Sequence, residues 1–297
     1  MIDLRKMTTE SRNEASMNLD SMTSLEVVTL MNREDAKVPE AIKGHLPEIA
    51  KAVDWCKNSI ANGGRVLYLG AGTSGRLGVV DASECPPTFG VSHDLFVAVM
   101  AGGSGAFVQA TEGAEDSREL CVKDLKDRNL RPVDTVIGIA ASGRTPYVIG
   151  GMEYAKKLGC NTVSIACNCN SEIGKRADVA IEVIVGSEVL TGSTRLRAGT
   201  SQKMVLNMIS TASMVRTGKA YRNLMVDVVQ TNEKLVARAQ GILMEATGIS
   251  REDAVQVLEK AGGSVKKAIV MVLASCSAEE AQTRLERARG HVREALA

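Results

Sequence analysis

Val66-Leu67-Tyr68-Leu69-Gly70-Ala71-Gly72-Thr73-Ser74-Gly75-Arg76 is a four-residue apolar run closed by glycines and hydroxyls. A short continuous apolar run that ends in glycine reads as a strand buried on both faces. Helical spacing resumes at once over 75–83, so the stretch is strand, loop, helix. Four more apolar runs follow, at 95–100, 136–140, 162–166 and 179–185. Helix-like segments separate them at 114–128 and 145–158, with a short one near 171–176. This alternation predicts an open α/β domain, a three-layer sandwich around a five-stranded parallel sheet.

On the N-terminal side, residues 1–40 are polar, with few long apolar faces, and read as an extended arm with short helices. A helix is predicted from 38 to 62, ending at Gly63-Gly64. On the C-terminal side the chain turns helical, at 199–217, at 232–247 and then through a compact bundle over 248–297. Ser250 is a candidate N-cap, and Gly262-Gly263-Ser264 separates two helices. The domain reading is an N-terminal helical arm over 1–55, the sheet domain over 56–219 and a helical region over 220–297.

The bulk composition narrows the classes. Only 3% of the 297 residues are aromatic, which disfavours base-stacking platforms. A formal net charge of +1 disfavours a polyanion held by bulk electrostatics, so no nucleic-acid partner is expected. No run of about 18 apolar residues occurs, so no membrane partner is expected. Seven cysteines at irregular spacing do not form a disulfide framework. With no signal-type start, the chain reads as cytoplasmic. Cys167-Asn168-Cys169 is the one tight cysteine pair and reads as two buried small hydrophobes. Three isolated histidines, His45, His93 and His291, lack ligand spacing, so no metal is expected.

The chemistry lies in two loops. Gly70 to Gly75 matches G-x-G-x-x-G. A dinucleotide site would want an acid at the end of the next strand to hold the ribose; that strand ends Val99-Met100-Ala101-Gly102-Gly103-Ser104, without one. A plain tight turn is also open. Free N–H groups at a helix N-terminus attract anions, and the hydroxyls of Thr73 and Ser74 favour a phosphate or sugar ligand near Gly72. The second loop, Ala141-Ser142-Gly143-Arg144-Thr145-Pro146, repeats the design. Ser142 and Thr145 offer hydroxyls, Gly143 allows close approach, and Pro146 suits a first helical turn. Arg144 is either an anion ligand or a surface residue.

Two carboxylates lie near these loops in sequence. Glu84 precedes Pro86-Pro87, which is expected to stop the helix just after it. Glu115 stands at a predicted helix start, where an acid also complements the dipole. From the residues alone each is either catalytic or structural.

Together, Gly70-Ala-Gly-Thr-Ser-Gly-Arg76, Asp81-Ala-Ser-Glu-Cys-Pro-Pro-Thr88, Glu112-Gly-Ala-Glu-Asp-Ser-Arg118 and Ala140-Ala-Ser-Gly-Arg-Thr-Pro-Tyr147 resemble the N-acetylmuramic acid 6-phosphate etherase family. Thr191-Gly-Ser-Thr-Arg195, Ala198-Gly-Thr200, Asn223-Leu-Met-Val-Asp227 and Thr231-Asn-Glu-Lys234 extend the resemblance to nearly the whole chain. It implies a sugar isomerase (SIS) domain of flavodoxin-like fold, followed by a ubiquitin-associated-like (UBA-like) helical bundle. It also implies a carbon–oxygen lyase that splits the lactyl ether of a sugar phosphate in cell-wall recycling, working as a homodimer. Glu84 takes the proton-donor role and Glu115 is the second catalytic carboxylate. Gly72, Thr73, Ser74, Ser142, Gly143, Arg144 and Thr145 hold the sugar phosphate, with Glu188 as a further ligand. The substrate's own aldehyde would stabilise the carbanion, so no cofactor is called for. The related glucokinase regulatory protein, which binds sugar phosphate without catalysis, is the rival class.

Overall fold

The computed structural model describes residues 7–109, 111–230 and 232–297. The start of the expected arm and Thr231 of the quoted motif lie outside the described residues. The chain divides into two compact units. One holds the described residues up to Ser83 together with Asp94–Ser210; the other joins Glu84–His93 to Thr211–Ala297.

The first unit begins with 3-10 turns at Thr8–Glu10, Glu14–Ser16 and Leu19–Ser21. Helix α1 (Ser24–Asp35) starts in a capping box, in which Thr23 accepts from the Glu26 N–H and the Glu26 carboxylate accepts from the Thr23 N–H. The helix expected from 38 to 62 is two, α2 (Val38–Lys43) and α3 (Leu46–Ala61). Pro47 explains the break: it has no N–H to offer the carbonyl four residues back, and it fits a first turn instead.

The sheet strands are β1 (Val66–Gly70), β2 (Phe96–Met100), β3 (Thr135–Ile139), β4 (Asn161–Ala166) and β5 (Val179–Glu182). All pair in parallel, in the order β2-β1-β3-β4-β5, so the five-stranded parallel sheet read from the apolar runs is present. Every residue of β1 and β3 is buried. The connections are α4 (Gly72–Phe89), α5 (Arg118–Asp127), α6 (Pro146–Leu158) and, after β5, α7 (Arg197–Arg216). Leu67, Leu69 and Val136 share one core with Cys121 and Leu125 of α5 and with Tyr147, Val148 and Met152 of α6. Tyr68 faces the other way, where Gly78 of α4 lies close to its Cβ. Helices on both faces of the sheet make the three layers.

Two helices differ from their sequence readings. The segment 114–128 is a 3-10 turn, Ala114–Asp116, followed by α5, because Ser117 stops to cap α5 by accepting from the Leu120 N–H. Helix α4 does not stop at the prolines. It runs through Pro86 and Pro87 to Phe89. A proline φ near −65° suits a helix; what each proline removes is one N–H, so the α-helical donors to the carbonyls of Ala82 and Ser83 are missing.

In the second unit, β6 (Ala220–Tyr221) and β7 (Leu224–Met225) form a hairpin around Arg222 and Asn223, with Arg222 at φ +53°. Five helices follow: α8 (Glu233–Thr247), α9 (Arg251–Lys260), α10 (Val265–Leu273), α11 (Ala278–Arg287) and α12 (Val292–Ala295). Asn232, Ser250, Ser264 and Ser277 each cap the helix that follows. Leu243, Ala254, Leu258, Ile269 and Leu285 are in their shared core. Asp227 pairs with Lys219 at 3.2 Å and with Lys266 at 2.7 Å. Burial lowers the Lys266 pKa, and Asp227 opposes that shift. Among the described residues no helix is long and apolar enough to cross a membrane.

Candidate functional site

Two loops stand side by side at the carboxyl edge of the sheet, because β1 and β3 are neighbours in register, Gly70 opposite Ile139. Strand order reverses between these two strands, where open α/β sheets place their ligands.

The first loop is held by backbone against backbone. A Cβ on Gly70 would stand 2.6 Å from the Gly75 nitrogen, and one on Gly75 would stand 2.8 Å from the Gly70 oxygen. Strand and helix therefore approach as only glycine permits. Thr73 and Ser74 follow in the first turn of α4. Ser74 is buried and donates its hydroxyl proton to Gln202 Oε1 of α7 at 2.9 Å. Thr73 is half-buried, with its methyl near Gly199. Arg76 ties down the segment after β2 by donating to the carbonyls of Ala106 and Phe107.

The second loop is held by side chains. Gly143, at φ +70°, lies against the Ser171 side chain. Ser142 Oγ accepts from the Arg144 N–H at 3.2 Å. Thr145 is the N-cap residue of α6 but makes no side-chain cap bond, which leaves its hydroxyl for a ligand. Arg144 is exposed. Behind the loop, buried Asn168 donates to the carbonyls of Ala141 and Ser142 and to Thr9 Oγ1, fastening the N-terminal segment here.

A cavity of about 290 Å³ lies beside the first loop, lined among others by Gly72, Arg76, Met100, Thr111 and Glu115. It brings Glu115 and the glycine loop, distant in sequence, to one place. Glu115 is exposed, in the 3-10 turn just before the Ser117 cap of α5. A second cavity of about 310 Å³ is lined by Ser142, Arg144, Asn168 and Ser171. Gly72 of the first loop lines one cavity and Ser142 and Arg144 of the second line the other, while Thr73, Ser74 and Thr145 line neither.

Glu84 is exposed on α4 and lines neither cavity. Glu188 is fully buried, and its two oxygens accept from the N–H groups of Arg197 and Ala198 at 3.0 Å each. It caps α7 and lines neither cavity. Buried Arg197 also pairs with Glu34 of α1 at 2.9 Å. Burial pushes the Glu34 carboxyl up, but hydrogen bonds from Lys37 and Asn13 and the nearby cations outweigh it, so it titrates below the ordinary range.

Cys167 is buried, as expected, and burial pushes its thiol up to about 12. Cys169 corrects the reading of that pair: it is exposed, because the chain leaves the sheet after β4. Among the described residues no group of His, Cys, Asp and Glu is placed to hold a metal ion.

Gln202 is the residue that sequence reading missed. The signal was present: Gln202, Val205, Leu206 and Ile209 follow the i, i+3, i+4, i+7 spacing of a buried helix face, and all four are buried. A carboxamide on that face needs a partner, and Ser74 is that partner.

Comparison with known proteins adds the following. A family model described as the glucokinase regulatory protein N-terminal SIS domain matches residues 48–156, and the SIS domain model matches residues 122–212. An N-acetylmuramic acid 6-phosphate etherase of Clostridium beijerinckii is 56% identical over 92% of this chain and 90% of its own length. One from Exiguobacterium sp. is 58% identical over 99% of this chain and 100% of its own length. Among solved structures, a phosphoheptose isomerase from Francisella tularensis superposes with a TM-score of 0.51 at 16% identity, covering 65% of this chain and 100% of that one. At that identity it shows the fold alone.

Proposed function

This chain belongs to the N-acetylmuramic acid 6-phosphate etherase family, and we propose how its residues divide the work of that reaction. The protein is a carbon–oxygen lyase. It cleaves the ether between sugar and lactyl group of N-acetylmuramic acid 6-phosphate, giving N-acetylglucosamine 6-phosphate and D-lactate. The observation that carries the assignment of roles is the cavity that gathers Glu115 with the glycine loop.

The phosphate is held by the hydroxyls of Ser74, Ser142 and Thr145, helped by Thr73, by N–H groups around Gly72 and Gly143, and by Arg144. Loop backbone at a helix start supplies fixed donors to an anion. Ring opening exposes the C1 aldehyde, which acidifies the proton on C2. Glu115 removes that proton as general base. The C3–O bond then breaks, and Glu84 as general acid protonates the departing lactate oxygen. Water adds across the C2–C3 double bond, its oxygen joining C3 and a proton returning to C2. The net change is hydrolysis, with no external oxidant or reductant.

The family resemblance implies a homodimer, and a site completed by both copies belongs to this proposal. Glu188 is left to its helix cap rather than to the sugar. The domain reading, with the arm over 1–55 and the UBA-like region over 220–297, remains part of this proposal. So does a place in the recycling of cell-wall sugar in the cytoplasm.

The test is D-lactate release in oxygen-18 water. Label in the C3 hydroxyl of the product, with none in the lactate ether oxygen, is expected; label in lactate would overturn the elimination. Glu84→Gln and Glu115→Gln should each lower kcat about 10²- to 10⁴-fold. Mixing the two variants should restore part of the activity if the carboxylates come from different copies. No recovery would place both in one chain.

A further inference from the structure

Gln202 carries an unfinished hydrogen-bond inventory. Its side chain is 1% exposed. Its Oε1 accepts from Ser74, while its Nε2, a donor of two protons, has no partner among the described residues. Buried donors without acceptors are rare in folded proteins and call for an explanation.

The partner's chemistry supplies one. A serine hydroxyl has a single proton. While Ser74 gives that proton to Gln202 Oε1, it can show a phosphate only lone pairs, which repel an anion. If the carboxamide turns over, Nε2 donates to Ser74 Oγ, and the serine proton is released to point into the loop. The two faces of a carboxamide are nearly the same shape, so the turn disturbs no packing. It also gives the orphaned donor its acceptor, while Oε1 gives up the Ser74 proton it had accepted.

We propose that Gln202 is a positioning residue that sets the direction of the Ser74 proton. With Oε1 toward Ser74 the proton is held inward. When phosphate binds, the amide turns and Ser74 becomes a donor. This rests on the reading of Ser74 as a phosphate ligand.

The experiment uses the full chain and inorganic phosphate as a competitive inhibitor of lactate release. Gln202→Glu offers acceptors only and locks the Ser74 proton inward. Gln202→Leu removes the acceptor and leaves the hydroxyl free to turn. Gln202→Glu is expected to raise the phosphate inhibition constant about tenfold, the scale of one charge-assisted hydrogen bond, and Gln202→Leu clearly less. In a Ser74→Ala background the Gln202→Glu penalty should vanish. Equal penalties for the two variants, or a penalty that survives without Ser74, would overturn the proposal and indicate packing or simple charge repulsion. If Gln202→Glu does not fold, the side-chain NH₂ resonance of Gln202 in nitrogen-15-labelled protein decides. It should shift on phosphate addition in the native chain and stay still in Ser74→Ala; no shift in the native chain refutes the turn. Ser74→Ala alone tests the underlying reading, since unchanged phosphate inhibition there removes Ser74 from the site whatever Gln202 does.

Discussion

The loop after β1 and the loop after β3 occupy equivalent places at the same sheet edge, yet they are built differently. The first rests on two glycine backbones and on the buried Ser74 hydroxyl, which donates across to the Gln202 carboxamide of α7. The second rests on the side chains of Ser171 and Asn168 and leaves the Thr145 hydroxyl uncommitted. The first is therefore stiff and linked to the fold's interior. The second is pinned at Gly143 by the Ser171 Cβ, which no rotamer change moves, and behind it by the Asn168 carboxamide.

The largest effect should come from the anchor of α7, which presents Gln202 to the first loop only. Glu34→Gln removes one of two carboxylates from buried Arg197, which keeps Glu188 at 3.7 Å, and should cost about 3 kcal/mol in chemical denaturation, the low end for breaking a buried pair. The same anchor has a pH signature. The Glu34 carboxyl titrates below its ordinary value, so its contribution is fully present above that ordinary value and is lost as pH falls through the lower, folded one. Acid unfolding of Glu34→Gln should show a weaker dependence in that window than the native chain. Next come the glycines. Gly75→Ala sets a Cβ 2.8 Å from the Gly70 carbonyl oxygen, where neither backbone can move. A loss of about 3 kcal/mol, the upper end of overpacking costs, is expected from thermal unfolding. Gly143→Ala should cost at least as much, since its φ of +70° strains any side chain and the added Cβ meets the Ser171 Cβ, which no rotamer change moves; a smaller loss would show that the second loop yields where the first cannot. Ser74→Ala should then cost about 1–3 kcal/mol, by leaving Gln202 unpaired, and weaken phosphate binding as well. Thr145→Val should raise KM with an unchanged melting temperature. Arg144→Ala should be smallest, worth about 0–1 kcal/mol of binding and fading with added salt.

The strands were legible because a fully buried parallel strand has no polar face to interrupt its apolar run, as in Val66 to Leu69. The glycine loops were legible because a close backbone approach excludes every other residue. The helix cap at Ser250 follows from local chemistry alone. Local rules misjudged Pro86-Pro87, because tertiary packing outweighs the loss of two hydrogen bonds. They also could not pair Ser74 with Gln202, or give Glu188 to the first turn of α7 rather than to a ligand. Those bonds depend on where the chain returns in space. Glu84 and Glu115 could be singled out only through family resemblance, since a carboxylate on a helix or a turn carries no mark of catalysis.

The interleaving of the two compact units bears on how the protein is made. The segment Glu84–His93 emerges from the ribosome about 120 residues before Thr211, the start of the rest of its unit. At roughly 5–20 residues per second, that stretch waits several seconds or more for its partners. Meanwhile the sheet strands on either side of it can already pair. A chain ended at Ser210 would keep every strand of the sheet and permanently lack the cover for this segment. The last quarter of the chain therefore decides whether an early piece of α4 is finished or left as a site for chaperones.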